Sequence, residues 1–271
     1  MPTRCLSPPR ITGTVLLTLA VALWCSGAEA GKRRSKSAAT FSPDWGSAPS
    51  VKYADMAKAS CLAELRQRKI SFQPVSEAPG VVTPVRILDG VGGVVYRTAL
   101  PRSKRASNPH DVFDCRLVLA LDDLSRILQN HGVDEVLMFS GWRPPRKGWP
   151  KDKEGKRHPG GMAIDLFRLG RWEEPPSEGT GGGEPKNARE RRRVWLDIKK
   201  SFGGRIGSVT CGPGARPPSP ATDDAKELRA IICEIAAARI FTSILTPNYD
   251  RPHFNHIHLD LTPRVKWRIV R

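Results

Sequence analysis

The most regular hydrophobic pattern lies in DVFDCRLVLALDDLSRILQNHG (111–132), where Leu117, Leu121, Leu124 and Leu128 recur at helical spacing. One apolar stripe on one face predicts an amphipathic helix, ended by a Gly132 cap with His131 as a helix-terminus residue. YADMAKASCLAELRQRK (53–69) places Met56, Ala59, Leu62 and Leu65 close to the same period and predicts a first helix. TDDAKELRAIICEIAAAR (222–239) predicts another, N-capped near Thr222. Shorter β-branched runs read as strands: ISFQPV (70–75), PVRILDGVGGVVYRTAL (84–100, two strands and Gly-rich turns), VDEVLMFSGW (133–142), MAIDLFRL (162–169), VWLDIKKSF (194–202), IFTSIL (240–245) and NHIHLDL (255–261). No internal repeat is visible. A few helices on one mostly antiparallel sheet make an α+β domain.

The ends and gaps of this pattern are polar. Residues 1–30 combine Arg4 and Arg10, an uncharged apolar stretch over 11–25, and AEA at Ala28–Ala30, the layout of a cleaved signal peptide. Residues 31–52 are basic and Ser/Pro-rich and read as a disordered tether, leaving 53–271 as the domain. The basic stretch 143–157 and the Gly-rich, charged stretch 171–193 read as surface insertions, and GPGARPPSPATDD (212–224) as a linker. Cys5 and Cys25 leave with the signal. Cys61, Cys115, Cys211 and Cys233 remain, an even set that favours two disulfides in an oxidising compartment, with three possible pairings. No CxxC pair is present to nucleate a four-cysteine zinc site. The net charge of +17 suits anionic polymers, and export moves nucleic acid down the order of partners.

Three of the six histidines crowd into RPHFNHIHLD (251–260). In NHIHLDL the period-two alternation puts His256, His258 and Asp260 on one strand face and Ile257, Leu259 and Leu261 on the other. HPGGMAIDLF adds His158 and, seven residues on, Asp165 between aliphatic neighbours. A carboxylate there needs a partner, since burying it alone costs several kcal/mol. If the AIDLF strand pairs with HIHLD, Asp165 and His258 become cross-strand neighbours and His158 folds over them. Two nitrogens and one oxygen with an open position is the arrangement of catalytic zinc. Asp260 is expected to orient a ligand imidazole, and His110 to lie on the surface without a partner.

These stretches, with CLAEL, DCRLVLAL, SGWRP, LTPNYD and HFNHIHLDL, resemble the LAS zinc peptidases (lysostaphin-type enzymes, D-Ala-D-Ala metallopeptidases and hedgehog), in particular the bacterial extensin-like C-terminal domain. The resemblance runs from about Cys61 to Leu261. HFNHIH is also similar to the tail motif of penicillin-insensitive murein endopeptidases. The resemblance implies Zn2+ held by His158, Asp165 and His258, with His256 as the base and His253 as an outer helper. It implies that Ser140 and Arg143 form a Ser-x-x-Arg element whose arginine faces the substrate or its oxyanion. A pairing of Cys61 with Cys115 and of Cys211 with Cys233 fits the same resemblance.

The implied activity is D,D- or L,D-type cleavage of peptidoglycan peptides, often at bonds involving D-alanine, in the periplasm or cell envelope. Anionic envelope polymers are the further expected partners, with no nucleic acid and no membrane span once the signal is removed. Two other readings compete: a non-catalytic wall-binding module that keeps the fold, and a secreted polyanion binder. The second explains the charge but leaves the spaced ligands unexplained.

Overall fold

The computed structural model describes residues 45–105, 108–148, 150, 155–173 and 191–271. The signal peptide, most of the tether and the central parts of both insertions lie outside the described residues.

The fold is α+β with mixed, mainly antiparallel sheets. A small sheet is formed by β1 (Phe72–Pro74), β2 (Pro84–Ile87) and β4 (Val112–Asp114). The large sheet contains β3 (Val95–Thr98), β5 (Val133–Met138), β6 (Ala163–Glu173), β7 (Arg192–Asp197), β8 (Ser243–Leu245), β9 (Ile257–Asp260) and β10 (Ile269–Val270). Its order is β10-β8-β9-β6-β5-β3, with β7 extending the pairing of β6. Only β3–β5 and β8–β10 are parallel among the described residues.

The helices are α1 (Pro49–Ala54), α2 (Lys58–Gln67), α3 (Arg102–Arg105), α4 (Cys115–Asn130), α5 (Ile198–Ser201) and α6 (Asp223–Ala238). The four leucines of the predicted stripe are fully buried along α4, which packs against α1, α2, α6 and β5. Removing one such side chain to alanine costs about 2–5 kcal/mol. Thr222 caps α6 by accepting the Ala225 N–H, as its position predicts. Both disulfides, Cys61–Cys115 and Cys211–Cys233, form. The first staples α2 to the start of α4, and the second ties the start of the 212–224 linker to α6.

Four sequence readings shift. The tether gives way to helix at Pro49, three residues before its expected end, because Ala48, Ser50 and Tyr53 are buried. The first helix is two, broken after Ala54. The 111–132 helix begins only at Cys115, since Val112–Asp114 pairs with β2 and Asp114 then caps α4 through the Arg116 N–H. VWLDIKKSF is a strand only to Asp197, whose side chain accepts the Lys200 N–H and starts α5.

An irregularity in β6 sets the side-chain directions near the histidines. Leu137 pairs with Arg168 but Met138 pairs with Leu166, so β6 carries an extra residue at Phe167. Ile164 and Leu166 before the bulge, and Leu169 after it, are therefore all in the core, although strict alternation forbids this. Asp165 is left on the face opposite its aliphatic neighbours.

Candidate metal centre

The register of β6 on β9 pairs Asp165 directly with His258. His158 enters from a 3-10 turn, His158–Gly160, whose Gly161 C-cap has φ +64°. A Cβ on Gly161 would lie 2.7 Å from the Asp114 nitrogen, so only glycine lets the turn sit this close to β4. The result is a triangle of inward atoms. His158 Nε2 is 3.1 Å from Asp165 Oδ1, His258 Nδ1 is 2.9 Å from the same oxygen, and the two nitrogens are 3.2 Å apart. All three residues are buried.

Their outward atoms are already committed. His158 Nδ1 is 2.6 Å from the Gly141 carbonyl, which can only accept, so this nitrogen carries the hydrogen. His258 Nε2 donates in the same way to Asp260 Oδ2 at 3.2 Å. Asp260 is itself held by the hydroxyls of Thr242 and Thr262. With neutral rings, lone pairs of two nitrogens and one oxygen then point at one another, and a cation must sit among them. A metal ion or an added proton meets that need. In protonic form the pull is visible on His258: burial pushes it down, but Asp165 and Asp260 hold it up at about 9. Burial also pushes Asp165 up, yet hydrogen bonds from His158 and His258 keep it well below the usual carboxylate range. The three side chains are the group among the described residues able to hold a metal.

The other expected residues gather around this triangle. His256 lies just before β9 rather than within it, and its Nε2 is 3.5 Å from Asp165 Oδ1. Its Nδ1 is 2.9 Å from Asn255 Oδ1. Desolvation pushes its pKa down to about 4. His253 sits on the 3-10 turn Arg251–His253, with Nδ1 2.6 Å from Asp250 Oδ1 and its ring 5.1 Å from that of His256. Ser140 and Arg143 both meet the outer oxygen of Asp165. Ser140 Oγ is 3.3 Å from Oδ2, Arg143 Nη2 pairs with it closely, and Arg143 Nε donates to Ser140 Oγ at 2.8 Å. The guanidinium therefore balances the Asp165 carboxylate, and half of its side chain stays in solvent.

Sequence reasoning missed the supports. His110, read as a surface residue without a partner, is half-buried and braces the Ser140–Arg143 loop: its carbonyl accepts the Gly141 N–H and Nδ1 meets the Trp142 carbonyl at 3.0 Å. Gly141 has no room for a side chain, since a Cβ would lie 2.5 Å from the Phe113 ring. Asp114, fully buried, takes two bonds from the Arg116 guanidinium and donates its N–H to the Gly161 carbonyl. Nothing in the spacing of these residues signals such contacts.

An α+β domain with a two-histidine, one-carboxylate cluster is thus the class that fold and site define. A family model described as Extensin-like protein C-terminus matches residues 218–271. That segment holds α6, β8, β9 and the three clustered histidines, whereas His158, Asp165 and Arg143 lie outside it. No curated protein and no solved structure matches the chain.

Proposed function

We propose that this chain is an exported zinc-dependent peptidase of the LAS type that cleaves peptidoglycan stem peptides or cross-links at bonds involving D-alanine. The observation that carries this reading is the triangle of acceptors with each outer ring nitrogen already committed. His158, Asp165 and His258 would hold zinc, which supplies Lewis-acid polarisation of a carbonyl and acidifies water.

The protein's own groups supply the rest. His256, its Nδ1 on Asn255, turns Nε2 toward the site and serves as the acceptor for the proton of the attacking water. It then returns that proton to the leaving amine. Arg143, anchored by Ser140 and still half-exposed, holds positive charge where the oxyanion develops. Exposed Tyr249 and Phe254 flank the His253 turn and offer surface on which a peptide can lie. The two disulfides, and the lack of any described helix long and apolar enough to cross a membrane, are compatible with export. A net charge of +17 draws the protein to an anionic wall.

The test is zinc content together with digestion of purified muropeptides. Wild type is expected to hold one zinc and cleave, His158→Ala to lose the metal, and His256→Ala to keep the metal and lose cleavage. Stoichiometric zinc without cleavage of any muropeptide would favour a wall-binding module instead. A zinc-free wild type would end both metal readings.

A further inference from the structure

A second cluster of charge sits apart from the histidines. Arg229 on α6 is 8% exposed, and its Nε and Nη1 have no hydrogen-bond partner within the protein. Nη2 makes a long bond to the Gly203 carbonyl, at 3.5 Å, while the guanidinium carbon lies 4.3 Å from the centre of the buried Phe202 ring. A guanidinium does not shed its proton under ordinary conditions, so burying one with two nitrogens unpartnered is unfavourable. Desolvation accordingly pulls Arg229 below its ordinary value.

The side chain lines a cavity of about 220 Å³ shared with Arg205, Ser208, Arg216, Ser219 and Asn248, and no carboxylate is among the lining residues. The walls are fixed in place. Asn248 Oδ1 accepts the Arg205 N–H at 2.7 Å, Asn248 Nδ2 donates to Thr210 Oγ1 at 3.0 Å, and the Ser219 N–H donates to the Gly203 carbonyl at 3.0 Å. Gly203, at φ +60°, has no space for a Cβ, which would lie 2.8 Å from the Ser219 nitrogen. The Cys211–Cys233 bridge ties the loop that carries Arg216 and Ser219 to the helix that carries Arg229.

We propose that this cavity is a binding site for an oxyanion, a carboxylate or phosphate group, which accepts from the unpartnered N–H groups of Arg229 while Arg205 and Arg216 supply charge at the mouth. Charge-assisted hydrogen bonds from a guanidinium to an oxyanion are among the strong ones. The site needs neither the metal nor a peptidase activity, so it stands or falls independently of the proposed function.

The test is thermal unfolding and calorimetric titration of the exported chain with inorganic phosphate and with succinate, against chloride at matched ionic strength. Stabilisation by phosphate alone assigns a phosphate ligand, by succinate alone a carboxylate ligand, and by both a general oxyanion site. Stabilisation by neither beyond chloride overturns the proposal. Arg229→Met is expected to weaken binding at least about tenfold and, in chloride, to unfold no earlier than wild type, because it removes an unpaired buried charge. Should Arg229→Met not fold, the exposed pair Arg205→Ala/Arg216→Ala decides: about threefold weaker binding supports the site, and unchanged binding overturns it. His158→Ala must keep the anion response; its loss would place the anion at the histidine cluster and overturn the assignment.

Discussion

The histidine cluster and the Arg229 cavity are opposites in charge. In the first, two ring nitrogens and a carboxylate oxygen, all buried, face one another within 3.2 Å, and every outward atom is occupied by Gly141, Asp260, Ser140 or Arg143. In the second, a buried guanidinium has two nitrogens, Nε and Nη1, that no protein acceptor meets. The two proposals follow from this: a cation would complete the first and an anion the second. The contrast shows how burial makes a polar cluster informative: in water either group would be solvated and say nothing, whereas inside the protein the missing complement costs free energy.

The largest expected break in the comparison comes from His256→Ala. If His256 is the proton acceptor, kcat/KM on muropeptides falls by about 10²–10⁴ while zinc content and the phosphate response stay unchanged. Equal loss of zinc would make His256 a ligand rather than a base. Cys211→Ala/Cys233→Ala acts on the other site. Opening that loop is expected to lower stability by about 3 kcal/mol in denaturant unfolding and to weaken anion binding, with zinc retained. Asp260→Asn removes the negative charge behind His258 and is expected to lower zinc affinity about 10–100-fold, measured by chelator competition. An unchanged affinity would mean that Thr242 and Thr262, rather than His258, are the reason Asp260 is buried there.

The smallest effect sharpens the comparison from within α6 itself. His131, at the end of α4, lies 2.8 Å from Glu227 and 2.9 Å from Glu234, so this imidazole has acidic partners on the helix where Arg229 has none. Burial pushes the His131 pKa down, but Glu234 and Glu227 prevail and raise it. A raised folded pKa means that the stabilisation is fully present below the unfolded value of about 6.5. It fades as pH rises through the folded pKa. His131→Leu is expected to flatten unfolding stability over that window by at most about 1 kcal/mol, since the site is partly solvated. Arg229→Met should leave the same pH profile in place.

Much of the first site was legible because it lies on local patterns. The alternation around His258 and the aliphatic neighbours of Asp165 place these two residues on strands, and the expected pairing of those strands is the observed register. The leucine stripe of α4, the Thr222 cap and the two disulfide pairs also follow local or family patterns. Other features required partners distant in sequence. His110 bracing Trp142, Arg143 turned onto Asp165, and the bulge at Phe167 are each decided by contacts that no window of residues contains.

By itself the sequence determined the helices and strands with strong periodicity, the cysteines available to pair, the excess of positive charge and the pairing that brings Asp165 beside His258. These properties live in spacing and composition, which survive without a fold. The tertiary structure alone decided which ring nitrogens face inward, which carboxylate Arg143 meets, and that Arg229, an ordinary polar position within KELRAIICEI, is buried with Nε and Nη1 unpartnered. Those outcomes depend on solvent exclusion and on the directions of hydrogen bonds, and neither exists until the chain has packed.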